Sequence, residues 1–324
     1  MSLIEVRELT KHFPVRKGFL SRDHRVVHAV DGVNLDIQKK ETVALVGESG
    51  CGKTTLGRLI LRLIEPTSGS IRLEGDEITR LNQQQMRPIR PKMQMIFQDP
   101  TASLNPRKTI RQILGDPLLV HKRCSKDELE ARAMELLEMV QLTPPVMYLD
   151  RYPHEFSGGQ RQRIVCARAI ALWPTFVFAD EPVASLDVSV RAEILKLMQA
   201  IQDRLSISYL FVTHDLSVVR SISHRVAIMY LGQIVERAGT KQLYEDPKHP
   251  YTNAILSATP IPNPQKARMK QRIILKGDLP SPITPPSGCR FHTRCPHAKP
   301  ICAREQPQTV EVELGHTVAC WLYS

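Results

Sequence analysis

The sequence predicts an α/β fold in three parts: a sheet flanked by helices, a helical insert within it, and a small cysteine-rich appendage at the C-terminal end. Three observations predict it. From Met1 to about Arg237, short apolar runs alternate with longer amphipathic segments. Between about Asp99 and Ala169 the apolar positions recur at helical spacing. Beyond Tyr230 the composition changes: ten of the 24 prolines lie between Pro260 and Pro307, and four of the seven cysteines lie from Cys289 onward.

In chain order, Glu41 to Val46 reads as a buried strand. A glycine-rich turn follows, then Leu56, Leu59, Ile60 and Leu63 at helical spacing. In the insert, Ser125 with Glu128 three residues later is a capping-box signature, and Leu129, Ala133, Leu136, Leu137 and Val140 then share one helix face. Alternation resumes with a strand from Thr175 to Asp180, a helix carrying Ile194, Leu197, Met198 and Ile201, and a strand from Ser208 to Thr213. A hairpin through Gly232 leads into the proline-rich region, where regular structure is improbable and something other than a hydrophobic core is expected to hold the chain. There is no internal repeat.

The totals exclude several classes. Of 324 residues, 42% are hydrophobic and 24% charged, the balance of a globular chain. No stretch approaches the roughly 18 consecutive apolar residues of a membrane helix. Met1 to Phe13 lacks the apolar core of a secretory signal, so the expectation is a cytoplasmic chain. The net charge of +11 suits a polyphosphate, nucleic acid or an anionic membrane surface, or is simply a basic solvated surface.

Gly47-Glu48-Ser49-Gly50-Cys51-Gly52-Lys53-Thr54 matches the P-loop pattern in its proper place, after a strand and before a helix. Its glycines let backbone N–H groups turn toward an anion, and the following helix presents its positive dipole end to the same phosphates. Lys53 supplies charge for the β and γ phosphates of a nucleotide, the Thr54 hydroxyl a magnesium ligand, and Cys51 reads as a small filler. Far downstream, the apolar run Phe176-Val177-Phe178-Ala179 ends in Asp180-Glu181. The first carboxylate is assigned to magnesium and the second to the attacking water.

Ser157-Gly158-Gly159-Gln160, preceded by Phe156 and followed by Arg161-Gln162-Arg163, resembles the signature of ABC-type ATPases. Gln98 resembles that family's Q-loop glutamine, Ala184-Ser185-Leu186-Asp187 its D-loop, and His214 its switch histidine. The resemblance implies that Phe13 stacks on adenine, that Thr55 joins the nucleotide site, and that Gln98 contributes to magnesium. His214 would contact the γ phosphate and position the water with Glu181. It further implies a head-to-tail dimer in which two ATP molecules are sandwiched. Each P-loop would then face Ser157, Gly158, Gly159, Gln160 and Asp187 of the other subunit. The expected organisation is an ATPase core (1–98 and 170–240), a helical signature subdomain (99–169) and a C-terminal extension (241–324).

Ser103-Leu104-Asn105-Pro106-Arg107, His249-Pro250-Tyr251-Thr252 and the segment Gly277 to Cys302 resemble the ATP-binding subunits of bacterial dipeptide and oligopeptide importers. Pro91 to Arg107 and Tyr152 to Arg163 are closest to the F-type subunits of dipeptide importers, whose partner is a similar D-type ATPase. The resemblance implies a heterodimer at the cytoplasmic membrane face, docked on two permease subunits and served indirectly by a solute-binding protein. The D-loop order Ala-Ser departs from the more common Ser-Ala but leaves Asp187 in place. A related machine importing nickel, haem or antimicrobial peptides also fits, because the solute touches other subunits. A nucleic-acid-handling ABC ATPase is the remaining alternative. It is disfavoured by the lack of a coiled-coil insertion, of a tandem ATPase unit and of a basic stripe with interleaved aromatics.

Cys289, Cys295, Cys302 and Cys320 are spaced more widely than zinc knuckles. Four thiolates suit zinc or an iron-sulfur cluster. Members of the peptide-importer group carry a four-iron four-sulfur cluster at a resembling motif, which favours the cluster. His292 and His297 are spare ligand candidates that read more readily as solvated loop residues.

Overall fold

A computed structural model describes residues 2–15, 25–259 and 273–324. Most of the segment between Pro14 and His28, and the prolines at 260, 262 and 264, lie outside the described residues.

The first half of the chain forms β1 (Ser2–Pro14), β2 (Val26–Gln38), β3 (Thr42–Val46), α1 (Lys53–Ile60), β4 (Ser68–Leu73), β5 (Asp76–Glu77), α2 (Gln83–Met86) and β6 (Met93–Ile96). The insert follows as α3 (Pro100–Ser103), α4 (Ile110–Val120), α5 (Leu129–Met139) and α6 (Gly158–Ile170). Then come β7 (Phe176–Asp180), α7 (Val188–Leu205), β8 (Ser208–Thr213), α8 (Leu216–Ile222), β9 (Arg225–Tyr230) and β10 (Gln233–Gly239). The chain ends through α9 (Thr240–Glu245), α10 (Pro250–Ala258), β11 (Thr309–Glu313) and β12 (His316–Ala319). These elements gather into two compact units.

The first unit comprises Ile37–Glu41 and Arg80–Val212. Its strands β8, β7 and β6 lie side by side and parallel, in registers such as Phe176↔Ser208 and Met93↔Phe176. All five residues of β7 are buried, as a parallel strand covered on both faces requires. In the insert, α5 packs on α4 and α6, and α6 buries Ile164, Val165, Ala167 and Ile170. Ser125 and Glu128 do exchange backbone-to-side-chain hydrogen bonds, but they close the turn in front of α5, whose first residue is Leu129.

The second unit comprises Ser2–Asp36, Thr42–Thr79 and Thr213–Ser324. It holds a four-stranded sheet in the order β2-β1-β4-β5 and a run of strands ordered β11-β12-β10-β9-β3. β3 and β9 are parallel, whereas β9 and β10 form the expected hairpin, turning on Leu231 (φ 41) and Gly232 (φ 84). Two successive positive φ values match the twist of the flanking strands. α1 stops at Ile60, and Leu63, expected on its buried face, is 51% exposed. Beyond the proline-rich region β12 pairs with β10 at Glu236↔Val318, so the last residues extend the sheet, whereas the described residues 273–307 hold no α-helix and no strand, as expected. The expectation that something other than a hydrophobic core holds this region is corrected. Phe291 is fully buried in an apolar cluster with Tyr230 and Tyr251, at ring-centroid distances of 5.2 and 5.5 Å. One aromatic packed against a pair of tyrosines gives the proline-rich segment a core contact that no periodicity announces.

Candidate functional site

In the second unit, the loop after β3 is fixed by close backbone approach. A Cβ on Gly47 would lie 2.2 Å from Met229 O, and one on Gly52, whose φ is +107, would lie 2.0 Å from Ala29 O. Only glycine fits either position. Gly232 N donates to Cys51 O at 2.8 Å. Lys53 is buried, and its Nζ donates to the carbonyls of Gly47 (2.8 Å) and Glu48 (2.9 Å). That holds a compact cation at the centre of the turn, while Ser49 and Gly50 stay exposed and Thr54 and Thr55 are half-buried. Cys51 is buried, which raises its thiol pKa and keeps it neutral, as a filler should be. Phe13, at the end of β1, is 36% exposed, with Lys11 Nζ 5.0 Å from its ring centroid. His214 is exposed just beyond β8.

The same loop is tied to the C-terminal segment. Glu48 N donates to Tyr251 Oη at 2.9 Å, and Arg294 Nη1 donates to both Glu48 carboxylate oxygens at 3.1 and 2.8 Å. Arg290 donates to Leu231 O in the hairpin turn and to Asp31. These arginines flank the cysteines. Cys289, Cys295, Cys302 and Cys320 line one pocket, with His249, Phe291, His292, His297 and Lys299. Each sulfur faces a backbone N–H: Phe291 for Cys289, His297 for Cys295, Lys299 for Cys302 and Leu322 for Cys320. Burial pushes the Cys289 thiol up to about 11 and raises Cys295 and Cys320 too. His292, expected to be a solvated loop residue, is half-buried, its Nδ1 2.8 Å from Cys289 O, whereas His297 is exposed.

In the first unit, Asp180 is buried at the end of β7 and Glu181 follows with φ 46, a strained left-handed conformation for a non-glycine residue. Gln98 Nε2 donates to Glu181 Oε2 at 3.1 Å, so two residues far apart in sequence meet. Ser157 and Gln160 form a capping box at the start of α6: Gln160 N donates to Ser157 Oγ (3.3 Å) and Ser157 N to Gln160 Oε1 (3.1 Å). The S-x-x-Q spacing carries that signal in the sequence. A Cβ on Gly158 would meet Leu186 Cδ2 at 3.8 Å, so the signature turn lies beside Ala184-Ser185-Leu186-Asp187. Ala184, Ser185 and Asp187 are exposed.

Sequence reasoning missed Arg290 and Arg294, whose partners are 259 and 246 residues away. It also missed the pair His316 and Glu236, both fully buried and 2.7 Å apart, whose carboxylate also accepts Lys248 N and His249 N.

Comparison with known proteins gives the same picture. The ABC transporter family profile matches residues 30–184, and that of the oligopeptide/dipeptide transporter C-terminal region matches residues 235–302. The oligopeptide transport ATP-binding protein AppF of Bacillus subtilis is 49% identical over 324 residues, covering 100% of this chain and 98% of AppF. Two solved structures are similar. The ATP-binding cassette MJ0796, in a dimeric post-hydrolysis state bound to ADP and Pi, has a TM-score of 0.64 and 28% identity over 73% of this chain and 98% of that one. CbiO1 of Clostridium perfringens, part of the ABC transporter complex cbiONQ, has a TM-score of 0.65 and 26% identity over 76% and 91%. Phosphate loop, signature turn and fold together define an ABC-type ATPase. Within that class, the chain belongs to the ATP-binding subunits of oligopeptide and dipeptide ABC transporters.

Proposed function

We propose that this chain is the ATP-hydrolysing motor of a membrane importer for dipeptides or oligopeptides. The observation that carries the reading is the match over the full length to AppF, which includes the C-terminal segment as well as the ATPase core. Lys53 and the N–H groups of the Gly47–Gly52 turn receive the β and γ phosphates, with Phe13 against adenine. Thr54, Gln98 and Asp180 offer hydroxyl, amide and carboxylate oxygens, the hard donors magnesium takes. Magnesium, when bound, offsets charge on the phosphate oxygens. Glu181, oriented by the 3.1 Å bond from Gln98, takes the proton of the attacking water, and His214 positions that water.

In this reading the core spans 1–98 and 170–240, the signature subdomain 99–169 and the extension 241–324. Ser157, Gly158, Gly159, Gln160 and Asp187 complete the nucleotide site of a sister ATPase in a head-to-tail heterodimer. The pair docks on two permease subunits at the cytoplasmic membrane face, and a solute-binding protein serves it only indirectly, by delivering solute to the permease. No helix among the described residues is long and apolar enough to cross a membrane, so coupling runs through docking.

Cys289, Cys295, Cys302 and Cys320 hold a four-iron four-sulfur cluster in this reading. The four sulfurs line one pocket, each with a backbone N–H against it, a thiolate set that suits a cluster. A cluster, when bound, joins loop segments that bury little apolar surface. Iron and acid-labile sulfide in a brown preparation support it, and a colourless zinc protein refutes it.

The central test is Glu181→Gln. ATP binding is retained and hydrolysis falls by about 10²–10⁴-fold; unchanged turnover removes Glu181 from the mechanism.

A further inference from the structure

Outside the ATPase motifs, His12, His28 and Asp31 converge in the second unit. One ligand atom from each lies within 4.8 Å of the other two, the one such set of three among the described residues. His12 Nε2 is 3.4 Å from Asp31 Oδ1, and His28 Nδ1 is 3.9 Å from Asp31 Oδ2. Both ring nitrogens are buried, and neither has a partner with hydrogen-bond geometry. Two orphaned nitrogens aimed at one carboxylate need an explanation, because a buried polar atom without a partner is destabilising.

We propose that these three side chains bind a divalent first-row transition metal, with zinc the probe of choice. At about 2.0–2.2 Å from each ligand, a tetrahedral zinc separates neighbouring ligand atoms by roughly 3.3–3.5 Å. His12 Nε2 lies 3.4 Å from Asp31 Oδ1 and His28 Nδ1 lies 3.9 Å from Asp31 Oδ2, so the two rings face different oxygens of one carboxylate, and a side-chain rotation brings one oxygen to both. The two imidazoles, 4.2 Å apart with planes inclined at 59°, converge without stacking. Imidazole and carboxylate are a donor set zinc, nickel and copper accept. Arg290 donates to Asp31 Oδ2 and leaves Oδ1 on the His12 side, which is how metal-ligating carboxylates are commonly held. Backbone bonds fix the three positions: His12 N to Thr67 Oγ1 (3.0 Å), His28 N to Pro282 O (2.9 Å) and Asp31 N to Gly232 O (2.9 Å). A water completes the fourth position.

The proposal does not rest on the transport reading or on the cysteines. The test is cobalt(II) and zinc(II) titration of the full chain, wild type against His28→Ala and Asp31→Asn. Wild type takes up one cobalt whose visible bands lack sulfur-to-cobalt charge transfer, and both variants lose that ion while any thiolate-bound metal remains. Zinc raises the Tm of wild type more than that of either variant. His12→Asn, at a half-buried position, serves as a third variant with its fold checked by circular dichroism. Equal nitrogen- and oxygen-ligated metal in wild type and folded variants overturns the site, as does wild-type uptake confined to thiolate ligation.

Discussion

Two glycine turns open two helices in this chain, and they are built in opposite ways. The turn before α1 needs its glycines for reasons internal to the fold, because any Cβ at Gly47 or Gly52 would strike backbone carbonyls of Met229 or Ala29. Its centre is filled by the Lys53 ammonium, donating to the turn's own carbonyls. The turn before α6 is exposed at Ser157 and Gly158, and a Cβ on Gly158 would make only an ordinary 3.8 Å contact. Its helix is already capped by Ser157 and Gln160. Packing within the chain therefore explains Gly47 and Gly52 in the first turn and, through Val190 Cγ1 2.6 Å from an added Cβ, Gly159 in the second, but it leaves Gly158 unexplained. A glycine that the fold does not need points to something approaching from outside.

The sharpest way to break this contrast is to add the same methyl group to both turns. Gly52→Ala combines a positive φ with a backbone clash, and should cost roughly 3–5 kcal/mol and abolish nucleotide binding. Gly158→Ala sits in the first turn of α6, where alanine is the better helix former by about 0.5–1 kcal/mol. It should leave both stability and ATP binding by the single chain near wild type. Denaturant unfolding and nucleotide titration of the two variants measure the difference, and equal losses would dissolve it.

The two turns also differ in how much of them the sequence reveals. Both motifs are contiguous, and so are the strand, hairpin and capping signals around them: β8 has the expected bounds, and the hairpin turns through Gly232. What stays hidden is long-range and carried by single side chains. Phe291 sits among prolines with no periodicity, and nothing local marks it as core. Arg294 looks like any basic loop residue until folding brings it to Glu48. β11 and β12 did leave a trace, in the alternation of Thr309 to Ala319 about Gly315, but weakly, since β11 buries none of its residues fully.

Arg294 sharpens the comparison at a smaller scale, because among these two turns it tethers only the first to a distant segment. Its side chain is 10% exposed and that of Glu48 30%, so the pair is partly shielded from solvent. Arg294→Ala should cost about 1.5–3 kcal/mol in stability, the range for a charged hydrogen bond. If the pair positions the loop as well, KM for ATP rises several-fold while kcat changes little, and Arg294→Lys recovers part of the loss. A drop in stability with an unchanged KM would confine Arg294 to a structural role.

The smallest stability effect carries the finest distinction, and it concerns Ser157. Removing its hydroxyl in Ser157→Ala deletes the acceptor for Gln160 N and should cost about 1 kcal/mol, with α6 retained by its buried face. That result alone does not separate capping from a role toward phosphate. Ser157→Asp does, because aspartate caps a helix as well as serine and complements the dipole, yet places a negative charge where a sister subunit's γ phosphate would arrive. The aspartate variant should match wild type in unfolding and in ATP binding as a single chain, while nucleotide-driven association and hydrolysis in the assembled pair are lost. Wild-type hydrolysis by that variant would mean that the exposed turn serves α6 alone, and Gly158 would again need a reason.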